Sequence, residues 1–226
     1  CRNKERNSRS RSTDGKVFRR VGIVGEIMIK NISQKAKNKE RYPEDWKVLK
    51  ISDVTDVKGG KRLPKGYSLQ EKPNGYPYIT VSDMYIGGIS TENIKYVPEE
   101  VVDKIKNYRI STDDLFISVA GTLGIVGKVP ESLNNANLTE NADKLTNIKI
   151  DKEYLYQVLI SDIIQKEIEK EKTTNAQPKL ALTRIKNFRI PVPSNRNEIK
   201  KIALILSTWD KAIELKEKLI EQKKEQ

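Results

Sequence analysis

"DDLFISVAGTLGIVGKV", residues 113–129, decides how this chain folds. Its glycines Gly121, Gly124 and Gly127 run into Lys128 and invite comparison with a phosphate-binding loop. Such a loop needs Gly, four residues, Gly, Lys and then Ser or Thr, because backbone N–H groups hold the phosphates and the hydroxyl ligates Mg²⁺. Here five residues separate Gly121 from Gly127, and Val129 stands where the hydroxyl belongs. Val129-Pro130 also stops the helix that should follow. A strand pair accounts for the same residues better. "DLFISVA" (114–120) and "IVGKVP" (125–130) are strand-like, and the glycines between them supply the positive φ that a turn or bulge requires.

The flanking segments extend that pair into an α+β fold with a mixed or antiparallel sheet. "WKVLKI" (46–51) alternates like a strand, and Ser52 can cap a short helix through Val57. "KGGKRLPKGY" (58–67) is a loop, and "YPYITVSDMY" (76–85) is a buried strand. "PEEVVDKIKN" (98–107) begins with Pro and acids, which predicts a short helix. After the polar "NNANLTENAD", "KLTNIKI" (144–150) predicts another strand and residues 152–172 a helix. "TNAQPKLALTRIKNFRIPVP" (174–193) predicts a loop, a short helix and a last strand. The organisation expected is an extension over 1–41, a domain over 42–194 and a long helix over 195–226.

Composition narrows the function. The chain has 226 residues, 36% hydrophobic and 33% charged, and no apolar run long enough to span a membrane. Its best apolar stretch, Val21 to Ile32, is interrupted by Gly22, Gly25, Glu26 and Lys30, which argues against a secretory signal. Cys1 is the lone cysteine, which fits a reducing cytoplasm. Histidine is absent, which removes His-based metal sites and Ser-His-Asp triads. No metal or other cofactor is expected. The net charge of +12 suggests an acidic partner. Much of that excess lies in residues 1–20, where Arg2, Lys4, Arg6, Arg9, Arg11, Lys16, Arg19 and Arg20 face only Glu5 and Asp14. That tail is either a solvated arm or an arm that binds nucleic acid.

From Asn197 to Gln226 there is neither Gly nor Pro. Ile199, Ile202, Leu206, Trp209, Ile213 and Ile220 follow a heptad spacing, with Lys216 in the skipped position. The helix is about 45 Å long at about 1.5 Å per residue. Such a stripe either folds back on its own domain or pairs with another chain as a coiled coil.

Taken in order, these segments resemble the specificity subunits of bacterial and archaeal type I restriction–modification systems. The resemblance rests on "YPEDWKVLKISDV", "GGKRLPKG", "YPYITVSDM", "DDLFISVAGTLGIVGKV" and "AQPKLALTRIKNFRIPVPS", followed by "EIKKIALILSTWDKAIE", and covers residues 42–226. It implies a target-recognition domain that binds double-stranded DNA and docks adenine methyltransferase subunits and a restriction/translocase subunit, without catalysis of its own. No Asn/Asp-Pro-Pro-aromatic motif for amino methylation occurs, and Glu214-Leu215-Lys216, though nuclease-like in spacing, lies on the heptad helix. Full subunits of the family carry two recognition domains and two long helices, whereas this chain has one of each. The resemblance therefore implies a half-subunit that homodimerises through its helix and recognises a gapped palindrome, or a fragment. A helix of this length spans about 13 base pairs. Two other readings stay open, a coiled-coil scaffold that does not read DNA and the recognition part of a larger methyltransferase or nuclease.

Candidate DNA contacts follow from residue chemistry. Lys58, Lys61, Arg62 and Lys65 place four cations in eight residues without an acid, which suits phosphate or guanine. A solvated loop would look the same. Thr122 sits where glycines remove bulk, so it is either a DNA contact or a plain turn residue. Gln177 and Lys179 flank Pro178 in a loop that the resemblance places at the recognition face, where Gln suits adenine and Lys guanine. Tyr76 and Tyr78 read as core or rim. Asn134, Asn135 and Asn137 are weaker candidates because Asn also belongs in turns.

Overall fold

The computed structural model describes residues 42–172 and 178–224, so the predicted basic extension over 1–41 lies outside the described residues. The chain is α+β. A central antiparallel sheet has the spatial order Asp56–Gly59, Ala142–Thr146, Leu115–Ser118, Val126–Lys128. A second sheet runs Lys95–Tyr96, Pro77–Ile79, Ala136–Leu138, Arg109–Ile110, and its middle pair is parallel. Trp46–Lys50 pairs with Arg189–Pro193 in a separate ribbon, and Met84–Tyr85 pairs with Gly88–Ile89 in another.

The strand Leu115–Ser118 of the opening stretch is buried at every position because both of its faces are covered. Leu115 and Ile117 point into one core with Val57, Leu145, Leu155, Leu159 and Ile164. Phe116 points the other way, into a core with Ile79, Ile110, Leu138 and Ala142. The central strand thus separates two hydrophobic layers, one against helices and one against the second sheet. Burying such side chains is worth about 2 kcal/mol each.

Its glycines divide into two kinds. Gly121 and Gly124 have φ of +75° and +82°, the left-handed conformation predicted for the turn. Gly127 faces Phe116 across the ladder, and a Cβ there would lie 2.5 Å from Phe116 Cζ and 2.7 Å from the Gly88 nitrogen. Gly127 is therefore required for close approach. Lys128 binds no nucleotide loop. Its ammonium lies 2.5 Å from the Glu153 carboxylate and 4.6 Å from the Tyr156 ring centre.

Several predicted boundaries shift for local reasons. The helix after Trp46–Lys50 is only Ile51–Val54, and Ser52 does not cap it: the Asp53 carboxylate accepts from the N–H of Lys50, two residues before Ser52. Residues 76–85 break at a 3₁₀ turn, Val81–Asp83, where Asp83 accepts from both the N–H and the hydroxyl of Thr80. The strand expected at 144–150 is Ala142–Thr146, ended by Asn147 at φ +53°. The helix expected over 152–172 splits into Lys152–Ile160 and Asp162–Lys172, because Ser161 adopts an extended conformation and its hydroxyl donates to the Val158 carbonyl. Residues 98–107 form a chain of short turns around the helix Val102–Ile105.

The terminal helix runs from Arg196 to Lys224. Ile199 and Ala203 are buried against the domain, the Trp46 indole N–H donates to Glu198, and the Gln157 amide donates to Asp210 at 2.5 Å. Among the described residues no helix is long and apolar enough to cross a membrane.

Gly127→Ala should cost about 2 kcal/mol or more, since the added methyl meets a fully buried ring and a backbone nitrogen. Urea unfolding measures this directly, and an unchanged midpoint would refute the close-approach account.

Candidate nucleic-acid interface

Antiparallel pairing brings four chain segments to one end of the central sheet. Asp56–Gly59 leaves there into Gly60–Lys61–Arg62, and Ala142–Thr146 enters there from Thr139–Glu140–Asn141. Leu115–Ser118 leaves there into the 119–124 turn, which returns as Val126–Lys128. Backbone hydrogen bonds tie the segments together. Gly60 N–H donates to the Ala142 carbonyl, Lys61 N–H to Leu138, and Val119 N–H to Asn141. Ser118 closes the turn, its hydroxyl donating to the Thr122 carbonyl at 2.6 Å and accepting from the Ile125 N–H at 2.8 Å. Lys179 bridges to Ala120, and its neighbour Leu180, buried, donates its N–H to the Val119 carbonyl.

This end gathers Lys61, Arg62, Thr122 and Lys179, all exposed. Lys61 is held through its backbone, whose carbonyl accepts from the Tyr78 hydroxyl, while its ammonium lies 5.7 Å from the Tyr108 ring centre. Arg62 pairs with Glu140 at 3.3 Å, so the loop that carries no acid in sequence acquires one in space. Lys58 lies within a strand rather than the predicted loop, exposed on the sheet face beside Lys144. Lys65 sits in a separate turn closed by the Tyr67 N–H on the Pro64 carbonyl. Gln177 lies outside the described residues. Tyr78 is buried and Tyr76 half-buried.

The asparagine cluster has structural work instead. Asn137 is buried and donates to the Ile105 carbonyl, Asn135 takes φ +65°, and Asn134 accepts from the Thr112 N–H.

Sequence reasoning missed the acids. Asp143 is 5% exposed, and among the described residues its Oδ2 is a buried side-chain atom with no hydrogen-bond partner. Its register partners are Gly59 and Ile117, neither of which offers a side-chain donor. Burial raises its pKa to about 6, opposed by the positive charges of Lys179 and Lys186. The available signal was an acid in strand register with apolar residues, but the predicted strand began one residue too late to include it. Lys144, on the opposite face, is driven below the usual lysine range by burial and donates to the Arg109 carbonyl.

The heptad positions share one face of the terminal helix but differ in exposure. Ile199 is buried, Ile202, Leu206 and Ile213 are half-buried, and Trp209 and Ile220 are 51% and 54% exposed. Leu204, Leu215 and Leu219 are also more than half exposed, and with Thr208 and Ala212 they form a stripe at spacings of four and three.

A family model described as "Type I restriction modification DNA specificity domain" matches residues 43–224. The chain is 25% identical over 211 residues to the type I restriction enzyme MjaVIII specificity subunit of Methanocaldococcus jannaschii, covering 89% of this chain and 49% of that protein. Two solved structures share the fold. One comes from work on complex assembly and conformational transition of the type I R-M system (TM-score 0.66, 16% identity), matching 95% of this chain and 50% of its own. The other is the HsdS subunit from Thermoanaerobacter tengcongensis (TM-score 0.61, 15% identity), matching 91% and 47%. The chain thus spans about half the length of the proteins it matches.

Asp143 yields a stability prediction. Its pKa when folded, about 6, lies above the ordinary 3.8. Folding therefore disfavours its ionised form, and that penalty is absent below the ordinary value and complete above about 6. Stability should fall as pH rises through this window. Asp143→Asn should be more stable than wild type at neutral pH by about 2–3 kcal/mol, and the gap should close in acid. Urea midpoints at several pH values test both parts.

Proposed function

This chain belongs to the type I restriction–modification DNA specificity domain family, and from that premise we propose that it reads one half of a bipartite DNA target. The observation that carries this reading is the single sheet end where Lys61, Arg62, Thr122 and Lys179 converge. Cations there would hold phosphates and set the register on the duplex, while the turn at Gly121 and Gly124 and the Pro178 segment would approach base edges. The role is recognition in the cytoplasm, with methylation and cleavage supplied by docked methyltransferase and restriction/translocase subunits. Neither a metal nor another cofactor enters it.

The terminal helix would join two copies. Its half-buried face already packs on the domain, so the exposed Leu204–Leu215–Leu219 stripe is the face left for a second helix. Two domains related by a two-fold axis would recognise a gapped palindrome. The length of the relatives supports a second reading, in which this chain is one half of a longer specificity subunit and the other recognition domain differs. A fused nuclease or a scaffold that does not read DNA would fit the basic sheet end less well.

Co-expression with a cognate adenine methyltransferase, followed by mapping of modified adenine, tests the function. A gapped palindrome is expected for the homodimer; an asymmetric motif would select the two-domain reading; an assembled complex that leaves DNA unmodified would refute recognition. Lys61→Ala and Lys179→Ala should each lower the slope of log affinity against log salt by about 1. Leu204→Glu with Leu215→Glu should halve the solution mass of the dimer, and light scattering would expose the error if it does not.

A further inference from the structure

Asp143 breaks a rule that the rest of the described core obeys. A buried carboxylate oxygen without a hydrogen-bond partner costs stability, and an amide or apolar residue would remove that cost. Residues that break such rules without local compensation concentrate at functional sites. Asp143 lies at the sheet end described above, one residue into the strand that Thr139–Glu140–Asn141 enters. Two cations bear on it from different elements. Lys179 comes from the segment bridged to Ala120, and Lys186 from helix Leu182–Asn187, which packs against Asp56–Gly59.

We propose that Asp143 is a positioning residue of the DNA-facing sheet end: its buried carboxylate, set among the strand ends that Lys179 and Lys186 flank, sets how much net positive charge that end presents to phosphate. This rests on the recognition reading. With the carboxylate ionised, one of the two cationic charges is offset through space. With it protonated, the end carries its full charge. Duplex phosphates add negative charge near the carboxylate and raise its pKa further, so binding takes up protons. Affinity therefore rises as pH falls.

The chain has no histidine, so no side chain has its ordinary midpoint in this pH range. Asp210 is another acid raised by burial, on the terminal helix against Gln157. Asp210→Asn is the control. No charged side chain sits at the register partners of Asp143, Gly59 and Ile117.

The experiment measures binding of the full chain to a fluorescent duplex of random sequence at fixed low salt, from about pH 5 to about 7.5. Wild type should bind up to about tenfold tighter at the acid end, the value of a one-unit shift on binding. Asp143→Asn should bind equally across the range, and Asp210→Asn should follow wild type. Lys186→Met, which removes an outer partner and leaves the carboxylate in place, should move the midpoint to higher pH. In the free chain, the Nζ resonances of Lys179 and Lys186 should shift together near pH 6 in wild type and not in Asp143→Asn. PH-independent binding by wild type, or an Asp143→Asn profile that matches it, would overturn the positioning role and leave the recognition reading intact. Absence of duplex binding at every pH would bring down the recognition reading, and this proposal with it.

Discussion

The chain crosses itself at Gly60 with no room for a side chain. A Cβ at Gly60 would lie 2.0 Å from the Thr139 carbonyl oxygen and 2.5 Å from that of Leu138, both backbone atoms that cannot swing away. The flanking hydrogen bonds, Gly60 N–H to Ala142 and Lys61 N–H to Leu138, hold the crossing on both sides. Ala136–Leu138 belongs to the second sheet and Ala142–Thr146 to the central one, so the crossing sits where one sheet hands the chain to the other. Arg62 lies against Glu140, and Asp143 comes into register with Gly59, as consequences of this contact. The basic end of the sheet is thus built on backbone geometry, and its cations are placed by strands rather than by a free loop.

Much of this was legible where local chemistry decides conformation. The "DLFISVA" and "IVGKVP" runs pair as expected because Leu115, Phe116 and Ile117 in succession need cover on both faces, and two glycines at positive φ close the turn. Legibility fails where a distant partner decides. Lys58–Lys65 contains no acid in sequence, and nothing local announces that Glu140, far along the chain, will sit against Arg62. Asn137 reads as a turn residue by composition, but the Ile105 carbonyl claims its amide in the core. The helix over 152–172 reads as continuous because serine is tolerated in helices, and the break at Ser161 becomes visible only through its hydroxyl bond to Val158. Asp143 escaped for a similar reason, since its burial comes from strands on either side of it.

The terminal helix shows how a periodic pattern can hold two answers at once. The heptad spacing from Ile199 to Ile220 is real, but its members serve different partners. Ile199 with Ala203 and Asp210 fixes the helix to its own domain, and Asp210 is held there by Gln157. Trp209 and Ile220 lie on the same seam but are exposed, and Leu204, Leu215 and Leu219 form a separate exposed stripe. A periodicity of 3.5 residues identifies an apolar seam without saying how wide it is. Here the apolar surface is wider than one seam. A helix clamped along one side and apolar on another can hold a recognition domain at a set distance from whatever covers it, which a freely hinged helix could not do.

For the DNA recognition proposed above, charge at the sheet end has to satisfy two demands that oppose each other. Phosphate attraction is strong, sequence-independent and additive in cations, so an end made only of lysines and arginines would hold any duplex well. Specificity is a difference between affinities, and it improves when the wrong duplex is held less tightly. On the proposed role, Glu140 against Arg62 and the buried Asp143 near Lys179 and Lys186 would both lower the non-specific term. The overall charge of +12 does not measure this, since much of the excess lies in the first twenty residues. A buried acid near cations costs stability and raw affinity, and both losses fit the discrimination that the proposed role requires.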